Sequence, residues 1–109
     1  MYYQTDEVRQ RLKFIDRTIR HAANACNKDS SVPPDLKYYV QQLSVRSRQA
    51  KQALHSENSH RIRRSVDSLA QLTEHAQAAI HPADEVSYAV KSAVILTHIE
   101  VSALKHQLD

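Results

Sequence analysis

The chain has 109 residues, with 15 Lys and Arg against 12 Asp and Glu for a formal charge of +3 and a pI near 9.2, a size suited to one domain around one core. It contains no glycine and a single cysteine. Without glycine, hairpin turns, phosphate-cradling loops and dinucleotide fingerprints are largely excluded; a lone thiol rules out an internal disulfide and points to a reducing, cytoplasmic setting.

The first residues lack the basic and apolar regions of a signal peptide, and no apolar run approaches the ~18 residues of a membrane span, so no membrane association is expected. Abundant Ala, Leu, Gln, Lys, Arg and Glu favour helix throughout.

A first helix is predicted from Thr5 as N-cap, with Asp6 and Glu7 in the first turn where the dipole favours negative charge. Its apolar stripe is Val8, Leu12, Ile15, Ile19, Ala22 and Cys26, spaced 4-3-4-3-4, a heptad-like seam. Cys26 on that seam reads as a small core hydrophobe rather than a reactive thiol. Phe14 and His21, seven residues apart, share a flank.

A loop follows over 27–34, with Ser30 and Ser31 as candidate caps and Pro33-Pro34 as a rigid opening to the second helix, Pro34 to His55. Leu36, Val40, Leu43, Ser47, Ala50 and Leu54 repeat the 4-3-4-3-4 spacing. Ser47, the polar member, is expected to bond back to its own helix.

Ser56 to Ser59 forms the second loop, with Asn58 or Ser59 capping a third helix. That helix carries Ile62, Val66, Leu69, Thr73, Ala76 and Ile80 at the same spacing, Thr73 standing where Ser47 stands in the second. A short connection at His81-Pro82 leads to the last helix, predicted from about Pro82 to Gln107, with Asp84 and Glu85 in its first turn.

This last helix is the most apolar. Val86, Ala89, Val90, Ala93, Val94, Leu96, Val101, Leu104 and Leu108 fall on one broad arc and predict its core face. Tyr88, Ile95 and Ile99 fall on the opposite side, beside Ser92, Ser102 and His106. Scattered surface hydrophobes are common, but three large apolar residues at i, i+7 and i+11 predict a docking stripe.

Four helices of about 22–26 residues, each ~33–39 Å long, joined by short connections, predict an all-α, antiparallel up-down-up-down four-helix bundle. The alternative pairs long hairpins from two chains into one bundle.

Seven histidines raise the question of metal. A di-metal bundle needs Glu-x-x-His on two helices and glutamates on the others. The only such pattern, Glu57-x-x-His60, lies at a helix start, and no convergent ligand set is predicted. The histidines read as exposed surface groups. A phosphorelay role lacks a lysine-glycine pair beside any histidine. Cys/His catalysis would need Cys26 off the seam, and Glu74 and Glu100 have no evident carboxylate partner. No enzyme activity and no cofactor are expected.

Charge is more informative. Arg46, Arg48, Lys51, Arg61, Arg63 and Arg64 lie in one span, with His55 and His60 between them and Glu57 the only acid. Arg61, Arg63 and Arg64 face the positive end of the third helix, unfavourable by a few tenths to about 1 kcal/mol each, so local helix stability does not explain them. They predict either a solvated, solubilising surface or an anion-binding tip between the second and third helices. With no DNA-reading motif and no aromatic platform among the arginines, nucleic-acid binding there would be phosphate contact without base readout.

The function expected first is a small non-enzymatic interaction module, a homodimer or a module docking another protein, with Tyr88, Ile95 and Ile99 at the interface. A nucleic-acid or polyanion binder using the basic tip is the alternative. The generic bundle pattern implies no family.

Overall fold

The computed structural model describes residues 5–56, 58–81 and 85–108. Helix-forming composition and the repeated seam yield α1 (Thr5–Lys28), α2 (Pro34–His55), α3 (Ser59–Ala78) and α4 (Tyr88–Leu108), and no strand among the described residues. The helices close a ring in which α1 packs on α2, α2 on α3, α3 on α4 and α4 on α1. This is the up-down-up-down bundle within one chain. Its long dimension, 44 Å, is about one helix plus its turns.

The seams of α1, α2 and α3 line the interior as their spacing predicts, except that α3 ends at Ala78 and Ile80 packs only partly buried beyond it. Val8, Leu12, Ile15 and Ile19 meet Leu36, Val40 and Leu43, then Val66 and Leu69, then Val90, Val101 and Leu104, all essentially inaccessible. Truncating such a Leu to Ala costs about 2–5 kcal/mol. Cys26 lies in this core, and burial pushes its thiol up from the ordinary cysteine range.

The last helix departs from the prediction in two ways. It begins at Tyr88, not near Pro82; Pro82 and Asp84 lie outside the described residues, and Glu85 precedes the helix instead of occupying its first turn. Ser87 supplies the cap, its hydroxyl accepting from Val90 N–H at 3.3 Å. Val86 is still buried, packing on the core from outside the helix.

The core face is also narrower than the arc drawn for it. The buried set is Val90, Val94, Thr97, Val101, Leu104 and Leu108, which is the same 4-3-4-3-4 spacing. Leu96 is 47% exposed, because it sits about 120° from the centre of that seam. Thr97 takes the seam position, its hydroxyl donating to Ala93 C=O at 2.7 Å.

The ends are closed by specific caps. Asn58 caps α3, accepting from His60 N–H at 3.0 Å and Arg61 N–H at 3.2 Å. The N-cap of α2 is Pro33, with no side-chain bond. Ser30 and Ser31 are thus not its caps. Ser31 serves a different contact: its hydroxyl lies 2.9 Å from Glu85 C=O and within bonding distance of Asp29. Asp29 in turn accepts Ser31 N–H at 2.9 Å and Ser87 N–H at 2.8 Å. One carboxylate thereby ties the α1–α2 loop to the segment entering α4. The Ser31 hydroxyl first, then the Ser87 and Ser31 amides, hold its pKa down at about 2.

Candidate functional site

In a closed ring of four helices, the α1–α4 and α2–α3 sides are opposite each other. The residues singled out in the sequence divide between them.

On the α1–α4 side, Tyr88, Ile95 and Ile99 are 84%, 43% and 57% exposed. Leu96 stands beside them on the flank toward α1. Phe14, 60% exposed, shares the flank of α1 that carries Thr18, four residues on, and Thr18 touches α4. A groove of about 520 Å³ runs between the two helices beside Leu96, lined by the small residues Ala25, Ala89, Ser92 and Ala93 together with Thr18, His21, Asn24 and Lys28 of α1. From Ser92 to Leu104 the only ionisable side chains on α4 are His98 and Glu100, and both bond to neighbouring helices. The outer strip between them is uncharged.

Glu100 is the less expected of the two. Its carboxylate lies 3.0 and 3.1 Å from the Thr18 hydroxyl, which also reaches Phe14 C=O at 3.0 Å. Sequence reasoning left Glu100 without a partner because it looked for a second carboxylate. Burial raises its pKa, opposed in part by the Thr18 bond.

On the α2–α3 side, Arg46, Arg61 and Arg64 line one groove of about 350 Å³ with Gln49, Ser65 and Ser68. Arg46 bonds Gln49 at 3.3 Å, and none of the three arginines pairs with a described acid. Glu57 lies outside the described residues.

The other three cations predicted for this tip are elsewhere. Arg48 flanks the α1–α2 groove with Lys37 and Gln41. Lys51 pairs with Asp16 of α1 at 3.0 Å. Arg63 turns to α4, where its Nη2 donates to Leu108 C=O while its Nε is buried without a partner. The antiparallel fold sets the start of α3 beside the end of α4, so Arg63 serves the negative end of a neighbouring helix. The charge that local helix stability did not explain is explained, at this one position, by tertiary structure.

Each seam of the ring carries a polar or aromatic tie. At α1–α2, Asp16 accepts from Arg20 at 2.8 Å, Lys51 at 3.0 Å and Ser47 at 3.3 Å. Ser47 therefore bonds across to α1 and not back to its own helix. Burial pushes the Asp16 carboxyl up, but the bonds and charges of Lys51 and Arg20 outweigh it and hold the pKa below the ordinary range.

At α2–α3, Tyr39 stacks on His75 with centroids 5.6 Å apart, and Tyr38 meets the edge of Tyr39 at the same distance. At α3–α4, Thr73 donates to Ala70 C=O at 2.7 Å and lies 3.0 Å from His98 Nδ1. With the single hydroxyl proton so committed, Nδ1–H is the donor to Thr73. His98 is thus a half-buried bonding group, unlike the exposed histidine the sequence suggests. Among the described residues, no three His, Cys, Asp or Glu side chains come together as a metal site, and no helix is long and apolar enough to cross a membrane.

Comparison of the chain with family models, with curated proteins and with solved structures finds no match in any of the three.

Proposed function

We propose that the protein is a non-enzymatic helical interaction module whose α1–α4 side binds a second copy of the chain. The observation that carries this reading is the exposure of Tyr88, Ile95, Leu96 and Ile99 on the outer face of α4, with Lys91 at its edge between Tyr88 and Ile95. A strip of large apolar side chains on one helix face is more than isolated surface hydrophobes.

A second copy is the occupant that this surface suits. It has an apolar ridge, Ile95 and Ile99, directly beside a groove lined in part by alanine and serine. A two-fold axis passing between ridge and groove seats each ridge in the other copy's groove, the self-complementarity an isologous dimer needs. The single buried thiol, Cys26, agrees with a reducing compartment such as the cytoplasm.

Sedimentation equilibrium tests the reading. The wild-type chain is expected to dimerise in the micromolar range, and an Ile95→Glu/Ile99→Glu variant to remain monomeric with its helical circular dichroism intact. A wild-type chain that stays monomeric at high micromolar concentration overturns it.

A further inference from the structure

The α2–α3 groove carries a second and separate binding capacity. We infer that Arg46, Arg61 and Arg64 bind the sugar-phosphate backbone of a nucleic acid, without reading its sequence.

Three properties of the groove support this. First, the fold concentrates cations there without neutralising them. Of six basic residues in the span, it commits Lys51 to Asp16 and Arg63 to Leu108, and leaves these three guanidinium groups facing one groove without a described acidic partner. An arginine offers planar donors suited to phosphate oxygens. Ser65, Ser68 and Gln49 line the same groove and supply the neutral donors that accompany arginine in backbone contacts.

Second, the arginines lie along a line. Arg61 and Arg64 are one turn apart on α3. Tyr39 stacks on His75, and that antiparallel register sets Arg46 level with Ser68, a further turn along. The backbone positions of the three arginines therefore span about 10 Å of groove, and Arg46 reaches along it to Gln49. A single phosphate draws its ligands to one point, whereas a chain of phosphates meets charges placed in series.

Third, the groove is on the side of the bundle opposite the apolar strip. A surface that binds a lipid bilayer needs basic and apolar residues on one face, so that apolar side chains insert while cations meet the headgroups. Here Tyr88, Ile95 and Ile99 point away from the arginines. No aromatic side chain lines the groove, so base stacking and sequence readout have no platform.

The experiment is fluorescence anisotropy of a labelled single-stranded oligonucleotide and of a duplex, each in two unrelated sequences, across ~50 to ~200 mM salt. Three protein forms are compared: wild type, Arg46→Ala/Arg61→Ala/Arg64→Ala, and a charge-matched control, Arg11→Ala/Arg17→Ala/Arg48→Ala. Wild type is expected to bind both sequences alike, with a log–log salt slope near −2 for the single strand or near −3 for the duplex, as three phosphate contacts predict.

The groove triple is expected to lose at least about tenfold in affinity, with the control retaining it. Each single arginine variant should flatten the slope by about 1, and these single variants are read if the triple loses helicity. No binding by wild type at the lowest salt overturns the inference, as does equal loss in both triples, which signals diffuse charge. Binding to phosphatidylserine vesicles or to a phosphoserine peptide in preference to both oligonucleotides also overturns it, in favour of that partner. Each outcome is independent of self-association, which the Ile95→Glu/Ile99→Glu variant removes without touching the groove.

Discussion

The α1–α4 and α2–α3 sides of the bundle are built from helices with the same 4-3-4-3-4 seam, and they present opposite chemistry. Between α1 and α4 the outer strip is largely apolar, bordered by Lys91, and Glu100 on its α1 flank is drawn inward to Thr18. Between α2 and α3 the groove is lined by three arginines with no described acid to meet them. A shared interior pattern therefore sets how the helices pack and leaves the outer residues free to differ. In a bundle of this kind the specificity of interaction is carried by side chains that contribute little to the core.

The largest test of the contrast is Ile95→Glu/Ile99→Glu. Two exposed apolar side chains of the proposed interface replaced by charges should raise the dissociation constant of the proposed dimer by at least about a hundredfold, measured by sedimentation, while the anisotropy of bound oligonucleotide changes little. The arginine triple should do the reverse.

Next is the α1–α2 seam, where Asp16 gathers three donors. Asp16→Ala strands the Lys51 ammonium and the buried Ser47 hydroxyl and should lower urea-derived stability by about 1–3 kcal/mol. It should leave both surfaces competent, since Asp16 belongs to neither. An unchanged unfolding midpoint would show that this tie is not one of the supports of the bundle.

A smaller effect is expected at the bundle end. Asp29 has a folded pKa of about 2 against an ordinary 3.8. Its bonds to Ser31 and Ser87 therefore stabilise the fold above pH ~4, and this contribution is lost as pH falls toward 2. Asp29→Ala should lower the thermal midpoint at neutral pH, and the gap from wild type should close on acidification. A gap constant from pH 7 to pH 2 would assign the loss to something other than the carboxylate.

The smallest effect has the opposite sign. Burial raises the Glu100 pKa, so its charged form is disfavoured by the fold above the ordinary carboxylate range. Glu100→Gln should be slightly more stable than wild type at pH 7, with the advantage fading as pH falls through the raised folded pKa and gone below ~4, where Glu100 is protonated in both states. A variant less stable than wild type at pH 7 would mean that the ionised Thr18 contact outweighs the burial cost.

Much of the fold was legible in the order of residues. Val8 to Cys26, Leu36 to Leu54 and Ile62 to Ala76 repeat one spacing, and each run lies buried where that spacing points. The exposure of Tyr88, Ile95 and Ile99 was legible in the same way. Leu96 is exposed where the sequence predicts burial, because the apolar content of α4 widens the apparent core arc while the seam admits Thr97 in its place. The helix starts at Tyr88, later than the sequence predicts, because Asp84 and Glu85 resemble a helical first turn. The actual cap, Ser87, is recognisable only once Asp29 is seen to hold its amide.

Periodicity along one chain reports the angle at which a side chain leaves its own helix. That is sufficient to determine four helices, their buried seams and, with short connections, the order of the ring. It carries no information on the register of the helix next door. Ser47 finding Asp16, Glu100 finding Thr18, Arg63 reaching the end of α4, and Arg46 sharing one groove with Arg61 and Arg64 all depend on that register. Only the assembled bundle decides them, because a flanking side chain acquires a partner only when the neighbouring helix brings one to the same height.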